Sequence, residues 1–305
     1  MRTLQTPRLG EVLTRASASA PGACGELAQG LLEESLVMVT CPIDLFSTAT
    51  VEVSPGAGLV HGPDDSPKST VAVSRTLALL GRTDVNARLH LESPLPRQKG
   101  MASSTADVIA SIGAAAAALG ESLPVARQAE LALSIEPSDG IMFPGVALFD
   151  HRSGLVARPL GEPPPMGVLA LEFADRVDTE AFNRVDRRPA LERRSGRFLE
   201  AFRLIAAGLE TGDGVPIGMG ATMDAISYQD VFPNPYLEAG LELARTAGAV
   251  GVNVAHSGTV LGLLFLDDPE QTAWAARRAR ATFPGLVSTR RHRMIGGGLT
   301  LVQPG

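Results

Sequence analysis

Two periodicities alternate along this chain. From Ala16 to about Leu91 the apolar positions come in β-branched runs: SLVMVTCPIDLF and STATVEVS read as strands, closed by the turn cluster SPGAG. VNARLHLES places Val85, Ala87, Leu89 and Leu91 on one face of a half-buried strand, and Pro67 to Leu80 has helical spacing that stops at Gly81. The strand-containing segment PLPRQKGMASSTADVIASIGAAAAALGESLP then passes through a Gly-, Ser- and Thr-containing loop into an alanine-rich helix. A helix from about Pro124 to Ser134, the turn EPSDGIMFPG and two short strands, VALFDH and GLVARP, follow. The second half reads as strand (MGVLALEF), three helices (about Ala190 to Leu209, Ile217 to Ile226 and Pro235 to Ala247), two strands (AVGVNVA, TVLGLLFL), a helix (about Pro269 to Phe283) and a last strand, LTLVQ. This order predicts an α+β layer, a sheet with helices on one face. Residues 1–15 lack periodicity and are expected to be irregular. Pro163, Pro164 and Pro165 form a stiff junction, so the expected domains are 16–162 and 166–305. ERRSGR reads as a basic run on a solvated helix face.

Composition narrows the classes. A chain of 305 residues with 45% hydrophobic and 20% charged residues has the length and balance of a globular protein of one large or two medium domains. With aromatics at only 4%, its core must be built from small aliphatic side chains. The net charge of -6 lacks the basic surface that nucleic acid or an anionic membrane requires. No apolar signal core opens the chain, and the longest apolar run, Val108 to Leu119, is too short to span a bilayer. Cys24 and Cys41 are expected to be reduced thiols in a cytoplasmic protein.

Four segments could carry chemistry. Pro96 to Ala106 leads a loop into a helix N-terminus, where backbone N–H groups and the helix dipole favour phosphate. Gly100 permits close backbone approach, and Ser103, Ser104 and Thr105 add hydroxyls. An ordinary Ser-capped helix gives the same pattern, and no Walker A loop occurs. IEPSDGIMFPG sets Glu136 and Asp139 in an apolar turn, where acids bind metal or accept a proton, or merely face solvent. GVNVAHSGTVLGLLF places His256, Ser257 and Gly258 between two apolar strands, as a hairpin or a ligand-contacting loop. SAPGACGELAQG contains Cys24, Gly25 and Glu26 near the start of the fold, with no His–Asn partnership to make the thiol a nucleophile. The nearby Asp44, in CPIDLFS, needs a partner that an ammonium-bearing ligand would supply.

Together these segments resemble the GHMP kinases. That family's phosphate loop, P-x-x-x-G-L-[GS]-S-S-[AGS], is matched by Pro96, Arg97, Gln98, Lys99, Gly100, Met101, Ala102, Ser103, Ser104 and Thr105, with Met for Leu, Ala for Gly or Ser, and Thr at the last position. Its opening A-P-G is matched by Ala20, Pro21 and Gly22, and its C-terminal S-G by Ser257 and Gly258. A finer resemblance is to the L-threonine kinases of cobalamin synthesis, with segments like P-x-x-C-G-E-L-x-Q-G (Pro21 to Gly30), C-P-I-D-L-F (Cys41 to Phe46) and E-P-[ST]-D (Glu136 to Asp139).

The resemblance implies an N-terminal domain like ribosomal protein S5 domain 2, a ferredoxin-like C-terminal domain, and ATP in the cleft between them. It implies an alcohol-group phosphotransferase using ATP and Mg²⁺ on a small amino-acid substrate, acting as a monomer or homodimer. L-threonine is the expected substrate; homoserine or another hydroxy-metabolite, or nucleotide binding without turnover, are the alternatives. By the same analogy Ser104 with Glu136, or with Glu130 on the preceding helix, would hold Mg²⁺. Asp139 would take the hydroxyl proton. Cys24, Glu26, Gln29, Asp44, His256, Ser257 and Gly258 would surround the amino acid.

Overall fold

The protein is described by a computed structural model, which covers residues 14–302 apart from 176, 178 and 267. Residues 1–13 of the expected irregular terminus and Gln303 of the last strand lie outside the described residues. Thr14 and Arg15 already belong to the first strand.

The strands are β1 (Thr14–Leu32), β2 (Ser35–Pro55), β3 (Val60–His61), β4 (Val85–Glu92), β5 (Val146–Asp150), β6 (Ala157–Gly161), β7 (Met166–Phe173), β8 (Gly251–Val254), β9 (Leu261–Leu266), β10 (Leu286–Arg293) and β11 (Thr300–Val302). The helices are α1 (Pro67–Leu79), α2 (Ser103–Ala118), α3 (Val125–Ile135), α4 (Thr179–Arg184), α5 (Arg188–Arg193), α6 (Ser195–Thr211), α7 (Gly214–Tyr228), α8 (Leu237–Ala247) and α9 (Pro269–Thr282). One sheet runs in the order β10-β7-β9-β8-β1-β2-β4-β3, with β11 on β1 and β5–β6 on β2. Strands from before and after the proline run are joined through β1 and β8, at Glu26 opposite Val254.

Three clusters form the core. α1, α2 and α3 pack with β1, β2 and β4 through Val51, Val53, Leu89, Ile109 and Ile112. Alternate residues of β7 enter two different clusters: Met166, Val168 and Ala170 pack with Ile205 and Ile217 of α6 and α7, while Leu169, Leu171 and Phe173 pack with Leu243 and Ala275 of α8 and α9. The expectation of helices on one face is therefore corrected, because β7 is an apolar run buried on both sides.

Two elements differ from the sequence reading in ways that matter for the site. The helix expected over Ala190 to Leu209 is broken at Arg194, whose φ and ψ are -103° and 6°. Arg194 is not on a solvated face: its guanidinium is buried, 2.6 Å from Asp224, and donates to the Gln29 carbonyl and the Ser227 hydroxyl. β10 was not expected, because LVSTRRHR is too polar to signal a strand; it forms the edge of the sheet beside β7.

Candidate active site

The site begins with a distortion of β1. Register against β2 slips at Pro21/Gly22, Ala23/Glu26 and Glu26/Ala28, and Gly25 has φ +61°. A Cβ at Gly25 would lie 2.6 Å from the Val254 carbonyl oxygen, so only glycine fits. These bulges interrupt the ladder. The N–H groups of Ala23 and Gly25 instead donate to the carbonyls of Met101 and Gly100, each at 3.1 Å. From the other side Val260 N–H donates to the Lys99 carbonyl at 3.1 Å, and Gly258 packs directly on the loop backbone. The loop before α2 is thus held between β1 and the β8–β9 turn.

That loop ends in an uncapped helix. Ala102 occupies the N-cap position at φ +54°, and no side chain caps α2. The Ser-capped reading is excluded, and the first-turn N–H groups carry the positive end of a 16-residue helix. Two hydroxyls of that turn are each matched to an acid. Ser104 donates to Glu136 Oε1, while Lys68 Nζ lies 2.6 Å from Glu136 Oε2. Thr105 donates to Asp139 at 3.0 Å and accepts from the Asp139 N–H at 3.2 Å. Burial pushes the Asp139 carboxyl up to about 6; the Thr105 hydrogen bond opposes the shift and the Glu136 charge adds to it. Such a carboxyl is poised to accept a proton near neutrality.

These groups line a cavity of about 640 Å³, which Glu26, Lys68, Arg97, Gly100 to Thr105, Glu136, Asp139, His151, His256 and Ser257 help to form. A second cavity, about 260 Å³, is lined by Gln29, Arg152, Phe182, Arg184, Arg187, Arg188 and Tyr228, among others. His151 and His256 line both. At this junction His256 Nδ1 lies 2.7 Å from Gln29 Oε1 and 3.2 Å from the Tyr228 hydroxyl, and the two imidazoles meet edge to face at 4.8 Å. Burial depresses both histidines, His151 to about 4 and His256 well below the ordinary value, so both are neutral. Burial, then the Asp139 charge, holds Glu26 well above the usual carboxylate range. Glu26 Oε2, Gln29 Nε2, His256 Nε2 and both His151 ring nitrogens are buried without a hydrogen-bond partner.

Several expected site residues lie elsewhere. Asp44 has its partner within the protein: Arg293 at 3.2 Å and His292 at 3.4 Å. It needs no ammonium from a ligand and does not line either cavity. Glu130 is exposed on α3 and paired with Arg127 at 2.5 Å, away from Ser104. Cys24 is fully buried in the core, its thiol pushed up to about 12 by burial, and lines neither cavity. Lys99 is buried with Nζ donating to the carbonyls of Phe173, Ala174 and Asp175, so it anchors the loop to the end of β7. Pro96 and Gly258 line neither cavity, and Gly258 supports the loop from behind. Arg97 belongs to the matched loop but was given no role there, and the residues the sequence did not single out are Lys68, His151 and Tyr228. Of these only Lys68 left a signal: a lysine in the first turn of a helix, where the dipole disfavours it.

Residues 68–145 match the family described as the GHMP kinases N terminal domain. The chain is 36% identical to an L-threonine kinase of Salmonella typhimurium, over 82% of each chain. It is 33% identical to an L-threonine kinase of Citrobacter freundii, over 94% of this chain and 99% of the other. Its fold is shared with a homoserine kinase from Cytophaga hutchinsonii (TM-score 0.76, 16% identity, 97% of this chain and 100% of that one). It is shared too with L. major mevalonate kinase, solved in complex with R-mevalonate (TM-score 0.71, 14% identity, 96% and 99%).

Proposed function

The chain belongs to the GHMP kinases, and from that premise we propose that it phosphorylates the hydroxyl of free L-threonine. That it is an ATP-dependent kinase of a hydroxyl group follows from the family and from the two L-threonine kinases above 30% identity. The choice of threonine rests on those relatives and on one observation in the structure: the buried, unpartnered polar atoms where the two cavities meet. Leaving such atoms unsatisfied costs about 1–3 kcal/mol each, and a small zwitterion carries groups of both signs to satisfy them. Glu26 would take the ammonium, His256 and Gln29 the remaining polar edges, and the arginines of the second cavity the carboxylate.

The residues present fit ATP and Mg²⁺. The uncapped α2 N-terminus, the Gly100 backbone at φ +81° and the first-turn hydroxyls would receive the phosphates. Ser104 and Glu136 would hold Mg²⁺, which binds through few protein oxygens when a nucleotide supplies the rest. Among the described residues no three His, Cys, Asp or Glu side chains cluster as a metal cage. When bound, Mg²⁺ supplies neutralisation of charge on the phosphates. The chain's own residues do the remainder. Gly258 and the β1 bulges fix the loop, so little reorganisation is needed when the nucleotide arrives. Asp139, kept in place by Thr105, would take the proton of the acceptor hydroxyl as that oxygen bonds to the γ-phosphorus and the bond to the departing ADP breaks. From the resemblance to the threonine kinases of cobalamin synthesis we further propose that the product, O-phospho-L-threonine, is made in the cytoplasm and serves the cobalamin side chain.

Phosphorylation of L-threonine, L-serine and L-homoserine by ATP tests the assignment. L-threonine should give the highest kcat/KM; a preference for homoserine overturns it, and no turnover with any of the three leaves a nucleotide-binding protein.

A further inference from the structure

Lys68 is placed against the ordinary rules for a helix. It stands in the first turn of α1, directly after Pro67, where the helix dipole repels a cation. Its ammonium is stabilised instead across the cavity, 2.6 Å from Glu136 Oε2, while the other oxygen of Glu136 receives the Ser104 hydroxyl. Both oxygens of the acid that would bind the metal are therefore committed. A divalent ion arriving between Ser104 and Glu136 would meet the ammonium charge already there.

The neighbouring charges are committed elsewhere. Arg97 lies 3.4 Å from Asp65 and 3.8 Å from Asp107, and donates to Ser66, so it braces the start of α1. Asp107 also accepts from Ser47 at 2.6 Å, and Asp139 accepts from Thr105. Among the described residues lining the large cavity, Lys68 and Arg97 are the lysine and arginine side chains, and Lys68 is the one paired with the transfer site. Its side chain is 40% exposed, on a flexible four-carbon stem.

We infer that Lys68 is the protein's own cation for the triphosphate, resting on Glu136 until nucleotide binds and then moving to the phosphates, so that Glu136 is released to the metal. This rests on the kinase reading above but not on threonine as the acceptor. Nucleotide and metal would be coupled through a single side chain: the phosphates draw Lys68 off Glu136, and the vacated carboxylate gains affinity for a divalent ion.

Two binding measurements without turnover test it, on the full chain. ATP affinity is measured by calorimetry in EDTA, and Mn²⁺ affinity by electron paramagnetic resonance without nucleotide. Lys68→Met should weaken ATP by roughly tenfold or more and at the same time tighten nucleotide-free Mn²⁺ severalfold, whereas Lys68→Arg should hold ATP affinity close to wild type. Unchanged ATP affinity in folded Lys68→Met, or weaker Mn²⁺ binding, overturns the inference. If Lys68→Met fails to fold, Glu136→Gln serves instead. Freed from its partner, Lys68 should then hold ATP in EDTA at least as tightly as in wild type, and a marked loss overturns the exchange. Wild-type protein that binds no ATP would overturn the kinase reading and this inference with it.

Discussion

Glu26 is a buried acid with one oxygen unpartnered, raised by desolvation and by the charge of Asp139. An ammonium brought beside it favours the ionised form, so amino-acid binding should expel a proton. Calorimetric titration of L-threonine near pH 7, in buffers of different ionisation enthalpy, should show release of up to about one proton. Glu26→Gln should abolish the release and raise KM for threonine while leaving ATP affinity in place. Buffer-independent heats in the wild type would mean that Glu26 is already ionised and does not meet the ammonium. Asp44 shows the opposite case. Its carboxylate looked unpartnered in an apolar strand of sequence, yet Arg293 on the unforeseen strand β10 pairs with it. The chemistry of an isolated acid was legible; the residue 249 positions away that satisfies it was not.

At the scale of elements, the site depends on a loop clamped by its neighbours. Gly258 makes no contact with either cavity, but a Cβ there would lie 2.4 Å from the Lys99 carbonyl carbon and oxygen and 2.5 Å from the Gly100 nitrogen. That backbone cannot yield cheaply, so Gly258→Ala should displace the loop before α2. The expected result is at least a tenfold rise in KM for ATP and a lower melting temperature. An unchanged KM(ATP) would show that the loop and the β8–β9 turn move independently. The glycines and hydroxyls of this arrangement could be read from sequence, because phosphate binding at a helix N-terminus has a local pattern. The helices α1, α2 and α3 and strand β4 were legible for the same reason: their periodicity is local. What remained hidden is non-local. The bulges of β1 depend on register against β2, the break at Arg194 depends on a buried Asp224 in α7, and His151 meets His256 only through the sheet. Tertiary pairing overrode the helical pattern at Arg194, and nothing in LVSTRRHR distinguishes an edge strand from a loop.

For the whole molecule, the cost of the site is written in its dependence on pH, and Asp139 isolates it. The folded protein raises this carboxyl to about 6 from an ordinary 3.8. Between those values the folded state keeps a proton that the unfolded chain has released, so stability falls as pH rises through that window and the penalty is complete above it. His151 works in the other direction: with its folded value at about 4 against 6.5, it contributes a loss of stability as pH falls below 6.5. The two overlap, so the wild-type profile alone separates neither. Asp139→Asn removes the first and leaves the second. Asn still offers a carbonyl oxygen to the Thr105 hydroxyl but has no carboxyl to ionise. The variant should therefore match the wild type near pH 4 and exceed it near pH 7, by a few degrees in melting temperature. Over the same range its kcat should be about 10²–10⁴-fold lower, with ATP affinity little changed and no rescue by added Mg²⁺. A variant less stable than wild type at every pH would make Asp139 a brace for the turn that begins at Pro137, while recovery of rate at high Mg²⁺ would make it a metal ligand. A gain in stability that grows with pH, together with a lost kcat, leaves proton transfer as the role for which this buried carboxylate is kept.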